Sequence, residues 1–252
     1  MAAGSDFYTA LVELADDSLV LGHRLSEWSS NAPMLEEDLA LSNLALDLLG
    51  AAASLFTRAA EVEGKGRTED DLAYTRIEPD YLNCLLVERP NEDFAHTILR
   101  QFYFAAFMEP YWQAAAASSD EGLRGIAAKC AKEMAYHLRH SAEWVIRLGD
   151  GTDESARRMR EAIDDLHIYT DELFAMSPAA RASAEAGLLP DRASLRGAWD
   201  RTVAHVFGEA FLEVPGKAVA RTGGREGRHT EALGHILSDL QYMQRTYPGL
   251  TW

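Results

Sequence analysis

Between Leu35 and Glu63 the apolar residues fall into two helical stripes rather than one. Leu41, Leu44, Leu48, Ala52, Leu55, Ala59 and Val62 form the first stripe. Leu35, Leu39, Leu46, Leu49, Ala53 and Phe56 form the second. Steps of three and four suit a helix, whereas a strand alternates at every second residue. A helix that is apolar on two sides must be covered on both, so this segment predicts the central helix of a bundle. Pro33 suits a first helical turn. Glu36, Glu37 and Asp38 are favoured at the positive end of the helix dipole, and Gly64 marks the stop.

The rest of the chain repeats the helical period, and no convincing apolar–polar alternation predicts sheet. A first helix is expected from about Asp6 to Trp28, with Leu11, Leu14, Ser18, Leu21 and Leu25 on one face. Residues 64–90 form a long connection with a helix-start pattern at Thr68–Asp71. Its Tyr74, Tyr81, Leu82, Leu85 and Leu86 predict packing across the bundle. Asn91 is expected to cap a third helix rich in aromatics, from Phe94 to Trp112, which Pro110 should kink. Further helices are expected over about Asp120–Leu148, Thr152 or Asp153 to Phe174, Ser177–Gly187, Asp191–Leu212 and Thr230–Thr246. No repeat and no low-complexity linker divides the sequence. The reading is a single all-α domain over residues 1–252, with four or five long helices plus shorter ones.

Composition removes several functions. The 252 residues carry 24 Lys and Arg against 40 Asp and Glu, a formal net charge of −16. Phosphate recognition needs a basic footprint, so nucleic acid is excluded as a partner, and an anionic membrane surface would repel the chain. With 47% hydrophobic residues the chain can bury a core, so bulk disorder is excluded. Cys84 and Cys130 give neither a disulfide framework nor a C-x-x-C motif. No basic-then-apolar leader opens the sequence, and charged or polar residues interrupt every apolar run short of the ~20 a membrane span needs. A cytoplasmic protein is expected.

An acidic helical bundle raises the di-metal carboxylate site, in which Glu-x-x-His pairs present both ligands on one helix face. Three carboxylate-x-x-His matches occur: Asp93 with His96, Asp164 with His167, and Glu226 with His229. None is well placed. The first opens a helix, the second uses Asp, and the third lies in a Gly-rich loop. Glu133 and His137 are four apart, and Asp47 is followed three residues later by Gly50. Asn43, Asp47, Glu133 and His137 read as buried polar groups that satisfy one another. The alternative is a rearranged ligand set of Asp47, Glu133 and His137. No G-x-S-x-G, P-loop or G-x-G-x-x-G occurs. Cys84 reads as a buried structural thiol rather than a nucleophile. The stretch from Gly216 to His229, with Lys217, Arg221, Gly223, Gly224, Arg225 and Arg228, is locally basic in an acidic chain. It reads either as a grip for an anion or acidic partner, or as a solvated loop balancing nearby acids. The aromatics of the third helix read as core or as a partner face.

Several longer stretches carry a resemblance. They are Leu19–Trp28, Leu35–Gly50, Leu85–Ala95, Lys132–His140, Arg147–Thr152, Arg221–Glu231 and Leu240–Arg245, followed by the tail to Trp252. Together they resemble the C subunits of bacterial ring-1,2-phenylacetyl-CoA epoxidases, also called phenylacetate-CoA oxygenases. The resemblance implies a ferritin-like helical bundle with additional short helices. It implies a structural, non-catalytic subunit that stabilises a homologous catalytic partner. In that family the partner holds the di-iron centre and epoxidises the ring of phenylacetyl-CoA during aerobic phenylacetate degradation. Separate subunits pass electrons from NADPH through flavin and an iron–sulfur centre. No catalytic or metal-binding residue, and no cofactor, is carried over to this chain. Arg221, Gly223, Gly224, Arg225 and His229 are expected to contact the partner or CoA phosphates, and self-association is a further possibility. The competing expectation is a stand-alone di-metal oxidase or oxygenase with the rearranged ligands.

Overall fold

The computed structural model describes residues 2–216 and 219–250, so Lys217 and Trp252, named above, lie outside the described residues. Among the described residues there are helices and turns and no strand. Four long helices form the frame: α1 (Ala2–Ser26), α2 (Leu35–Glu63), α5 (Phe94–Ala115) and α6 (Glu121–Gly149). Short α3 (Glu69–Tyr74) and α4 (Leu85–Glu88) lie in the connection between α2 and α5. The chain then adds α7 (Asp153–Leu166), α8 (Pro178–Glu185), α9 (Arg196–Glu209), α10 (Glu231–Leu240) and α11 (Tyr242–Thr246). Helices α1 and α2 form one closely packed pair and α5 and α6 the other, with α2 also resting on α6. This is the all-α bundle that the periodicity predicts, with the short additions that the resemblance implies.

Several boundaries follow from local chemistry. Gly64 closes α2 in the left-handed region (φ 69°), where its N–H reaches the Ala60 carbonyl. Asp120, Thr152 and Ser177 accept backbone N–H bonds at the starts of α6, α7 and α8. Thr68 and Asp71 form a reciprocal capping box on α3. Other starts differ from expectation. Pro33 stays outside α2, which begins at Leu35 after Met34. Asn91 does not cap α5; its amide donates to the Arg24 carbonyl at 2.8 Å, and Asp93 takes the cap by accepting from His96 N–H. Helix α5 continues through Pro110 to Ala115. The long element expected up to Phe174 is α7 followed by a 3-10 segment, His167–Phe174. The expected helix over 191–212 is likewise a 3-10 turn leading into α9.

The central helix is α1, not α2. From Ala10 to Leu25 nearly every α1 side chain is buried, because α2, α4, α8 and α10 all pack on it. Helix α2 buries its first stripe, yet Leu35, Leu39 and Leu46 of the second are 71%, 58% and 65% exposed. Of the second stripe, Phe56 is buried in the core and Leu49 packs against it. By length and composition α2 could cross a membrane, but its first stripe is packed inside the protein. The aromatics of α5 are core: Phe102, Tyr103, Phe104, Phe107, Tyr111 and Trp112 are all buried. Each such side chain contributes about 1.5–3 kcal/mol by leaving water. The connection over 64–90 packs inward as expected, with Leu72, Tyr81, Cys84, Leu85 and Leu86 buried.

Candidate functional site

A polar spine crosses the centre of the bundle where a di-metal site would lie. His137 of α6 is fully buried. Its Nε2 lies 3.3 Å from Asp47 Oδ2 of α2, and its Nδ1 lies 3.1 Å from Gln101 Nε2 of α5. The ring thus links α6 to α2 on one nitrogen and to α5 on the other. Both ring nitrogens have partners within the bundle. Glu133, one turn earlier on α6, lies 3.5 Å from Lys129 Nζ, and burial raises its carboxyl pKa. Asp47, Glu133 and His137 border a cavity of about 10 Å³ together with Ser18, Cys130 and Met134. That is about the space of one water and too little for two metals with a bridging oxygen. Among the described residues no group of three or more His, Cys, Asp or Glu side chains is placed to hold a metal. Asn43 does not join this group, because it faces solvent on α2.

The three carboxylate-x-x-His pairs separate in the same way. Buried His96 lies 2.8 Å from Asp93 and 3.2 Å from exposed Asp165, between α5 and α7. Asp164 faces solvent, while His167 turns inward to the Tyr103 hydroxyl at 3.2 Å, and burial lowers its pKa. Glu226 pairs with Arg228 and leaves His229 to Glu88. Near Glu37, His140 makes a 2.9 Å contact from α6 to α2. Cys84 is buried, and burial pushes its thiol well above the ordinary range, as a structural cysteine would have it.

A second polar group was not foreseen. Helix α1 carries Glu13, Asp16 and Asp17 on its buried faces, and each meets an arginine from elsewhere. Arg192 reaches Glu13 at 2.8 Å, Arg76 holds Asp16 through both carboxylate oxygens, and Arg225 holds Asp17 at 2.6 and 3.0 Å. Buried carboxylates need such partners, since an unpaired charge in the core is costly. The Gly216–His229 loop supplies one of them. Arg225 also donates to the Glu13 and Leu82 carbonyls. Burial opposes its charge, yet Asp17, Cys84 and Glu13 together outweigh burial and raise its pKa. Gly223 (φ 142°) donates its N–H to Glu172, and a Cβ at Gly224 would collide with the Asn83 carbonyl oxygen. His229 bridges Glu88 and the Tyr81 carbonyl, each at 2.8 Å. Burial disfavours the charged ring, but Glu88 and Tyr81 outweigh it, and the pKa rises.

Of the five residues expected to contact a partner, Gly223, Gly224, Arg225 and His229 thus clasp their own chain. Arg221 remains exposed, anchored by its backbone N–H to the Ile168 carbonyl at 2.8 Å.

A family model for a phenylacetic acid catabolic protein matches residues 2–252. This chain belongs to that family. Among curated proteins, the C subunit of 1,2-phenylacetyl-CoA epoxidase from Escherichia coli (strain K12) is 46% identical over 241 residues. That match spans 96% of this chain and 97% of the relative. The family resemblance read from Leu35–Gly50 and Lys132–His140 is therefore borne out, and the helical bundle is the fold it implied.

Proposed function

We propose that this chain is the structural, non-catalytic subunit of a multicomponent phenylacetyl-CoA epoxidase. It holds the di-iron catalytic subunit in a stable complex in the cytoplasm during aerobic phenylacetate degradation. Similarity over nearly the whole chain to the C subunit of an epoxidase supports the assembly. The state of His137 carries the non-catalytic reading. Its ring is hydrogen-bonded on both nitrogens, beside a cavity of about 10 Å³. These residues do not fit a di-metal centre, so no oxygen chemistry is routed through them, and iron belongs to the partner.

Exposed Leu35, Leu39 and Leu46 on α2 support a contact along that helix. Their apolar area is what a catalytic bundle with buried carboxylates would gain by packing alongside. Two measurements test the reading. Co-expression with the catalytic subunit of the epoxidase is expected to give a complex that survives size exclusion, with epoxidation of phenylacetyl-CoA depending on both chains. Elemental analysis of this chain expressed alone in iron-replete cells is expected to show no stoichiometric iron, manganese or zinc. About two irons per chain, lost in Glu133→Ala, would overturn the proposal in favour of a stand-alone oxidase built on Asp47, Glu133 and His137.

A further inference from the structure

Helix α9 ends in a Schellman turn with an unusual residue at its left-handed position. Leu212 N–H bonds to the Phe207 carbonyl at 2.9 Å, and Phe211 N–H points to Gly208 at 3.4 Å. Phe211 holds φ at 54°. Glycine fills the matching left-handed position at Gly64 and Gly187. A bulky residue there is a genuine outlier, since its Cβ crowds the following carbonyl.

The ring does nothing for this chain to offset that strain. Phe211 is 76% exposed, while its neighbours Ala210 and Leu212 are buried. The turn packs closely against the end of α6: a Cβ on Gly149 would strike the Ala210 carbonyl. Glu209 and Glu213 stand two residues before and after Phe211 and are exposed, Glu209 lying 3.4 Å from His205, and exposed Asp150 follows Gly149. Val214 adds apolar surface alongside. An exposed aromatic on a turn whose exposed acidic residues are Glu209 and Glu213 matches one kind of recess.

We propose that Phe211 is an anchor that inserts into an apolar pocket, rimmed by lysine or arginine, on the catalytic subunit of the epoxidase. The identity of that partner rests on the proposed function; the anchor itself rests on the turn. Buried aromatic anchors dominate interfaces, whereas rim charges set the on-rate and salt dependence.

The test compares the wild-type chain with Phe211→Gly, Phe211→Asn and the double variant Glu209→Gln/Glu213→Gln. Each is titrated with the purified catalytic subunit at stepped salt concentrations, and the Tm of each chain is read alone. Gly and Asn both suit the left-handed turn. Their Tm is expected to equal or exceed that of the wild type, while affinity falls by about thirtyfold. The Glu variant is expected to flatten the salt dependence. Affinity within threefold of wild type in Phe211→Gly would overturn the anchor and leave the proposed function standing. A loss of affinity seen only in variants whose Tm also drops would overturn it too, since the ring would then serve the fold. Failure of the wild-type chain to bind the catalytic subunit would overturn both proposals.

Discussion

His229 is held between a carboxylate and a carbonyl, an arrangement that two ring N–H donors satisfy best. Its pKa is raised in the folded chain. The stabilisation is therefore fully present below the unfolded value of about 6.5 and is lost as pH rises through the folded one. Between about pH 6 and about pH 9 the wild type is expected to lose more Tm than His229→Gln. Equal losses in thermal melts of the two would refute this role. Arg225 and Asp17 give a larger effect. Arg225→Met leaves a buried carboxylate without its cation and is expected to cost about 3–5 kcal/mol in denaturant unfolding. Arg225→Met combined with Asp17→Asn should recover a large part of that, because the unpaired charge is gone. The sequence shows that the loop is basic but not where its charges go. Asp17 and Arg225 lie 208 positions apart, and no local pattern links them. Glu13, Asp16 and Asp17 look like a solvated face until the folded chain brings their arginines in.

Helix ends were legible wherever one side chain decides them, as at Gly64, Asp120, Thr152 and Ser177. They were not legible where a distant group competes, as at Asn91, whose side chain is drawn to Arg24. The same competition misplaces the central helix. Periodicity registers apolar area, and α2 has more of it than this chain covers. Leu35, Leu39 and Leu46 remain in solvent, while α1 is buried in spite of its carboxylates. The surplus on α2 is the element-scale argument for an interface. Leu39→Gln combined with Leu46→Gln is expected to leave the Tm of the isolated chain within a few degrees, as exposed positions do. The same pair should weaken the complex with the catalytic subunit at least tenfold, read by isothermal titration. If the double variant unfolds the isolated chain instead, the stripe belongs to the core of this molecule and not to a partner.

At the scale of the whole molecule, apolar burial and polar clasps between distant segments hold the bundle together. Two helix pairs bury a continuous core, and the segment over 219–230 fastens onto α1 through Arg225, onto the 3-10 segment through Gly223 and Glu172, and onto α4 through His229, Thr230 and Glu88. Hydrogen bonds through His137 occupy the place where metal coordination would otherwise tie helices together. A protein whose fold depended on a metal would melt earlier in the presence of a chelator. Here EDTA is expected to leave the Tm of the isolated chain unchanged. The catalytic subunit should act in the opposite way, because anything that binds only the folded state raises stability by mass action. At a hundredfold excess over Kd the gain is about 2.7 kcal/mol. For a chain of this size that corresponds to roughly 5–10 °C in Tm. Calorimetry of the chain alone, with EDTA, and with the catalytic subunit separates the contributions. A fall with EDTA would restore a structural metal to the bundle. A rise with the catalytic subunit that disappears in the Leu39→Gln/Leu46→Gln chain would place the stabilising contact on α2.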